Sequence, residues 1–191
     1  MIHYSIDTNE REKVYVILAL ASVSLVSFLD KLLSHFTFEE YAAPSAMVVF
    51  LTLTKFYDVL LWKFAVKIGF SSIPNINGKW LGELSKNTGQ RFPVSMEITQ
   101  TWKTMQVTMD TELTTGSLQV ASISISNKNR AIAKWIYNLK PRNYDLPDGY
   151  NPNAEGVNEF RILKDETSLK LDGSYYSSQF RGGKIELTKV E

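Results

Sequence analysis

The sequence predicts a membrane protein: an N-terminal two-helix transmembrane hairpin, then an all-β domain, an antiparallel up-and-down barrel of about eight strands. Three observations carry this. No charged residue occurs from Val14 to Leu29, a second apolar stretch runs from Ala42 to Phe70, and short apolar/polar alternations follow one another from Lys79 onward. A helix crossing hydrocarbon needs roughly 20 predominantly apolar residues, whereas strict alternation marks a half-buried strand.

The first span, VYVILALASVSLVSFL, is slightly short. It either ends at Asp30-Lys31 or continues through Leu32, Leu33, Phe36 and Phe38. A cleaved signal peptide shares the outline of a charged start before an apolar run. Against it stand the second apolar segment, the acidic Asp7, Glu10 and Glu12 beside Arg11 and Lys13, and the poor cleavage context Ser34-His35-Phe36. Basic flanks stay cytoplasmic more often than not. Arg11 and Lys13 precede the first span and Lys63 and Lys67 close the second, so both termini are expected in the cytoplasm, with the membrane crossed twice. The Ser/Pro/Asn cluster at 71–75 divides a tail and two spans (1–71) from a β domain (72–191), which is long enough for one compact unit.

Within that domain Lys79 to Ser85 opens the series. Val94, Met96 and Ile98 alternate with polar neighbours, as do Met105, Val107 and Met109. The stretch Ser117 to Ser126 changes phase, predicting a bulge near Val120-Ala121. Ala133, Trp135, Tyr137 and Leu139 form a fifth strand; Phe160 with Ile162, Leu169 with Leu171, and Ile185 with Leu187 form three more. Turns are expected at Asn87-Thr88-Gly89, Thr115-Gly116, Asn127-Lys128-Asn129, Asp165-Glu166 and Gly182-Gly183. Hairpin-length connections without helical patterns favour an up-and-down barrel, with a sandwich as the alternative.

Composition narrows function. The chain has no cysteine, in keeping with a domain kept from oxidising compartments, and its two histidines, His3 and His35, lie outside the β region, which rules out a His-based triad or zinc site there. A net charge of +1 gives no general surface for DNA or RNA polymers. No catalytic constellation, metal set or cofactor motif is found, so the chain is expected not to be an enzyme.

The order of two spans and then Pro74-Asn75-Ile76-Asn77-Gly78-Lys79-Trp80-Leu81-Gly82 opening a strand-rich domain resembles the two-transmembrane β-strand-rich effectors of bacterial CBASS anti-phage signalling. The resemblance covers the whole chain; its one short motif is Gly78-x-Trp80-x-Gly82. It implies that the barrel binds a cyclic dinucleotide from a partner nucleotidyltransferase, that the protein forms homo-oligomers, and that the spans breach the inner-membrane lipid, leading to abortive infection. Gly-x-Trp also opens lipocalin-like barrels, so a membrane-anchored barrel binding a hydrophobic metabolite is the alternative.

Holding two phosphates and two bases calls for guanidinium groups and aromatic faces. The longest irregular connection, Lys140 to Asn158, carries Arg142, Tyr144 and Tyr150. Arg130, Arg181 with Tyr175 and Tyr176, and Trp102 lie at expected strand ends and are further candidates. The plain alternatives are a solvated surface charge for each arginine and core packing for Trp80, Trp135 and Tyr137. In the second span Lys55 and Asp58 are candidate effector residues, since intramembrane charges normally face a bundle interior or water; the plain alternative is an i, i+3 ion pair.

Overall fold

The computed structural model describes all residues except 36–44, 128–129, 143–153, 165–167, 179–180 and 191; for 33–35, 126–127 and 130 it describes the backbone alone. The chain divides into two compact units, one of Thr8–Ser71 and one of Met1–Asp7 with Ser72–Glu191.

In the first unit, helix α1 (Glu10–His35) is long and apolar enough to span a membrane by length and composition. At 1.5 Å per residue it extends about 39 Å. A second helical stretch comprises α2 (Ala46–Phe56), a π-helical turn (Tyr57–Leu61) and α3 (Trp62–Lys67). Ser45 caps α2, its hydroxyl accepting from the Val48 N–H at 3.3 Å. Both stretches leave Leu20, Phe28, Leu51, Phe56, Leu60 and Phe64 exposed. The Ser71 hydroxyl donates to a Glu10 carboxylate oxygen at 2.6 Å, joining the two ends of this unit.

The second unit is the expected barrel. Two short strands, β1 (Ile2–His3) and β2 (Ser5–Ile6), precede the helices, and eight follow them: β3 (Gly78–Lys86), β4 (Arg91–Gln100), β5 (Thr104–Asp110), β6 (Thr114–Asn127), β7 (Arg130–Pro141), β8 (Ala154–Lys164), β9 (Leu169–Ser177) and β10 (Gly182–Val190). Each of the eight pairs antiparallel with the next, and β10 pairs back on β3, which is the closed up-and-down order. The apolar phase of every strand points inward: Val94, Met96 and Ile98 of β4, Met105, Val107 and Met109 of β5, and Trp135 and Tyr137 of β7 are buried. The bulge falls between Leu118 and Val120, within a residue or two of its expected place.

Two expected turns are corrected. Gly116 lies inside β6, opposite Met109 and Leu139, and the chain turns instead at Thr111–Leu113, where Thr111 and Thr114 hydrogen-bond across the bend. Gly182 and Gly183 begin β10. At Gly183 a Cβ would sit 2.0 Å from the Ser85 carbonyl oxygen, so the glycine answers crowding between strands rather than a turn. The connection placed at Lys140–Asn158 is also shorter, because β7 continues to Pro141 and β8 starts at Ala154.

The seam between β5 and β6 is where the barrel differs most from its simplest form. These strands pair directly only over Thr108–Asp110 with Thr115–Ser117. Farther along they part, and the N-terminus fills the gap: β1 pairs antiparallel with β5 (Ile2 opposite Met105) and β2 pairs parallel with β6 (Ile6 opposite Ile123). Between them Tyr4 is buried, its hydroxyl donating to the Trp102 carbonyl at 2.9 Å. The Asp7 carboxylate accepts from the Ile125 N–H at 2.8 Å and from the Ser124 hydroxyl, and both bonds hold its carboxyl below the usual range. The first seven residues thus belong with the barrel unit and not with the helices.

Candidate functional site

The two ends of the barrel are built differently. At one end, where Pro74–Asn77 leads into β3 and Thr101–Lys103 joins β4 to β5, Gln100 and Trp80 hydrogen-bond to their neighbours. The Gln100 side chain accepts from the Ile76 N–H at 2.9 Å and donates to the Pro74 carbonyl at 3.2 Å and to the Tyr4 hydroxyl at 3.3 Å. The Trp80 indole N–H donates to the Ile76 carbonyl at 3.0 Å. Trp80 and Trp102 are wholly buried there.

The other end carries the β3–β4, β5–β6, β7–β8 and β9–β10 connections and opens into a cavity of about 150 Å³. That is the size of hole that holds one benzene-like ring. It is well below the roughly 300–1,000 Å³ that engulfs a drug-sized ligand. Leu84, Phe92, Met109 and Leu139 give it apolar walls. Tyr137 and Tyr175 line it with their phenols, and Lys86, Glu112, Ser177 and Arg181 bring polar groups to it. The Lys86 ammonium sits 4.5 Å from the Phe92 ring centroid.

Gly156 makes room for one of these phenols, because a Cβ there would lie 2.3 Å from the Tyr137 hydroxyl. Burial pushes the Tyr137 phenol up to about 12, with Tyr175 adding to the shift. Tyr175 is raised by its own burial, while the Arg181 guanidinium pulls it back. Both therefore stand at neutral pH as protonated hydroxyls able to donate to a ligand acceptor. Two buried polar atoms near the cavity have no hydrogen-bond partner within the protein: Ser177 Oγ, on the lining, and Asn158 Oδ1, beside a smaller void deeper in the barrel. Buried polar atoms are nearly always satisfied, so these two mark places where a bound molecule or water completes the set.

The candidate residues separate between the two ends. Arg181 lines the cavity. Arg142 is exposed beside it, its backbone N–H donating to the Leu113 carbonyl at 2.9 Å and its guanidinium lying 3.5 Å from the Thr111 carbonyl, on the turn that borders the cavity. Tyr144 and Tyr150 lie outside the described residues, in the connection between β7 and β8 at this end. Arg130, whose side chain is not among those described, begins β7 at the opposite end. Trp102 is also at that end and is fully buried, so it presents no open face for stacking. In the helical unit Lys55 is exposed and Asp58 is buried.

Tyr175, a strand-end candidate with Arg181, does line the cavity, whereas sequence marks Tyr137 as packing and singles out neither Ser177 nor Asn158. Asn158 had a legible signal: it falls in the inward phase of β8 with Phe160 and Ile162, a polar residue where the pattern demands an apolar one.

Comparison with known proteins fits this architecture. The family described as "Cap15, cyclic dinucleotide receptor domain" matches residues 71–189. A protein of Yersinia aleksiciae named CD-NTase-associated protein 15 is 24% identical over 162 residues, which cover 83% of this chain and 76% of that protein. Because the family match takes in every strand from β3 to β10, this chain belongs to the Cap15 cyclic dinucleotide receptor family of CBASS effectors.

Proposed function

We propose that the chain is a membrane-anchored CBASS effector whose barrel mouth binds a cyclic dinucleotide, and that binding drives assembly of several copies and disruption of the inner membrane. The observation that carries the binding reading is the pairing of a ring-sized apolar cavity with Arg181 and the partnerless Ser177 Oγ at its wall. One base enters the cavity, where the Tyr137 and Tyr175 hydroxyls and Ser177 Oγ meet its polar edge. The remaining ribose–phosphate ring lies at the rim, where Arg181, Lys86 and Arg142 supply charge-assisted contacts to phosphate oxygens. Binding occurs without turnover, and the nucleotide should be recovered intact after incubation.

The apolar walls favour a second reading, a barrel that holds a hydrophobic metabolite. Calorimetry of the full chain in detergent against cyclic di-AMP, cyclic di-GMP, cyclic di-UMP and a fatty-acid panel separates the two. Heat with a dinucleotide and none with fatty acids is the expected result, and the reverse overturns the proposal.

The N-terminal strands support a hairpin anchor. Met1–Asp7 pairs with β5 and β6, so the N-terminus and the barrel occupy the same side of any membrane. A crossing by α1 must then be reversed before Ser72, and the helical stretch from Ala46 to Lys67 is the segment available to do it. Placing both termini in the cytoplasm makes a C-terminal alkaline phosphatase fusion inactive; strong activity would refute this topology. A two-helix hairpin is too small to enclose an aqueous path, so disruption needs several copies. Replacing Lys55 and Asp58 together by Leu should leave dinucleotide affinity intact and abolish ligand-dependent dye leakage, if these residues meet each other or water within the assembly.

A further inference from the structure

Four exposed apolar side chains form one unbroken row across the outer wall of the barrel. The strand registers place Val120 of β6 opposite Ile136 of β7, Ile136 opposite Val157 of β8, and Val157 opposite Tyr176 of β9. All four are between 41% and 65% exposed. With strands about 4.8 Å apart the row is roughly 15 Å long. The outward positions two residues along each strand, on the side away from the cavity, are Ser122, Lys134, Glu159 and Ser174, and the Lys134 ammonium lies 2.9 Å from the Glu159 carboxylate. An apolar patch with a polar border on a soluble surface marks a place where another molecule sits.

We infer that this row is the face on which a second copy of the chain docks, an inference that rests on the assembly reading above. The argument is the symmetry of the charges. A two-fold axis parallel to the strands, over the gap between β7 and β8, sets Ile136 of one copy against Val157 of the other. It sets Ser122 against Ser174 and Lys134 against Glu159, so the polar row reads as its own complement. On the cavity side it sets Asn138 against Glu155, an amide donor against a carboxylate. Such self-complementarity is what an isologous contact requires. A lipid surface is a poorer occupant. The bordering row carries one charge of each sign, so it offers no attraction to anionic headgroups.

Four side chains on a convex wall cover much less than the roughly 800 Å² per partner of a standard stable interface. The contact is therefore weak between free molecules and effective between copies confined to one membrane, where local concentration is high. It is also placed to respond to ligand: Ile136 and Tyr176 directly adjoin the cavity-lining Tyr137 and Tyr175 on the same strands. A shift of either phenol on binding moves the outer row with it.

The absence of cysteine makes the test clean. Full-length chain carrying Val157→Cys, reconstituted in lipid vesicles, is treated with a bismaleimide of reach under about 10 Å, the spacing of stacked sheets. A crosslinked dimer is expected, increasing with whichever of cyclic di-AMP, cyclic di-GMP or cyclic di-UMP binds. Leu81→Cys, more exposed than Val157 and on β3 in the opposite wall, should give none.

In the same Val157→Cys background, copies with Lys134→Glu and copies with Glu159→Lys should each crosslink at least roughly tenfold less alone, since like charges then oppose one another. Mixed together they should recover, because each supplies the sign the other lacks. An ion pair acting only within one copy predicts no recovery on mixing, and that result overturns the inference. No dimer from Val157→Cys under any condition overturns it as well. Dimers that form while no dinucleotide binds would instead strike down the binding reading and leave the interface standing.

Discussion

The two ends of the barrel are made from the same strands and have opposite chemistry. At the closed end Gln100 alone engages Ile76, Pro74 and Tyr4, and Trp80 and Trp102 fill the space between them. At the open end Tyr137, Tyr175, Ser177 and Asn158 are brought inside the wall, and two of their polar atoms stay unsatisfied. Unpaired buried polar atoms cost stability, so Ser177 Oγ and Asn158 Oδ1 are positions where a bound molecule or water would gain a hydrogen bond.

The comparison breaks most easily at Trp102. Trp102→Ala should destabilise the protein by roughly 3 to 5 kcal/mol, as large-to-small changes in a packed core do. Dinucleotide affinity of the folded protein should stay unchanged. Denaturant unfolding alongside calorimetry would show whether the closed end is structural in this sense; a stable variant that binds poorly would merge the two ends into one site.

At the open end the buried phenol gives a pH signature. Tyr137 ionises at about 12 in the folded protein against 10.0 for an ordinary phenol. Its folded pKa is raised, so its contribution is complete below 10 and is lost as pH rises to 12. At 1.36 kcal/mol per unit this amounts to roughly 2 to 3 kcal/mol. Tyr137→Phe should flatten that part of the stability profile, and an unchanged alkaline slope would remove Tyr137 from the account.

Arg181→Ala sharpens the comparison from the ligand side. Losing a charge-assisted phosphate contact should weaken dinucleotide binding by roughly 1.5 to 3 kcal/mol. Unfolding should shift by less than about 0.5 kcal/mol, as for most surface substitutions. The smallest effect is expected at Asp7, which is exposed. Its depressed pKa means that the anchoring of the first seven residues persists above the ordinary value of 3.8 and fades as pH falls below it. Hydrogen exchange at the Ile125 amide should quicken in Asp7→Asn while global unfolding is unaltered.

Periodicity made the barrel legible: Val94, Met96 and Ile98, or Met105, Val107 and Met109, state their inward phase without ambiguity. It failed where side-chain size rather than polarity set the structure. Gly183 sits in a strand because the Ser85 carbonyl leaves no room for a Cβ, Gly116 sits in another under the Leu139 side chain, and a glycine in sequence looks the same in a turn. Ala154 and Gly156 extend β8 inward without the bulk that signals burial. The two-residue strands β1 and β2 are too short to show any period, and their partners lie about a hundred residues away. For the site, the arginines were visible as charges, but which end each one occupies depends on registers. Those registers put Arg181 and Arg142 at the mouth and Arg130 and Trp102 away from it.

The seam closed by the N-terminus sets an order of events during synthesis. Ile6 leaves the ribosome long before Ile123, its partner. At roughly 5 to 20 residues per second the wait is on the order of 6 to 25 s. For that interval α1 is already available for insertion, whereas the segment ahead of it has no strand to join. The edges of β5 and β6 in turn emerge unpaired over much of their length, the kind of edge that recruits other chains. The waiting N-terminus belongs to the same chain, so it is the strand at hand when those edges appear and caps them before another chain does.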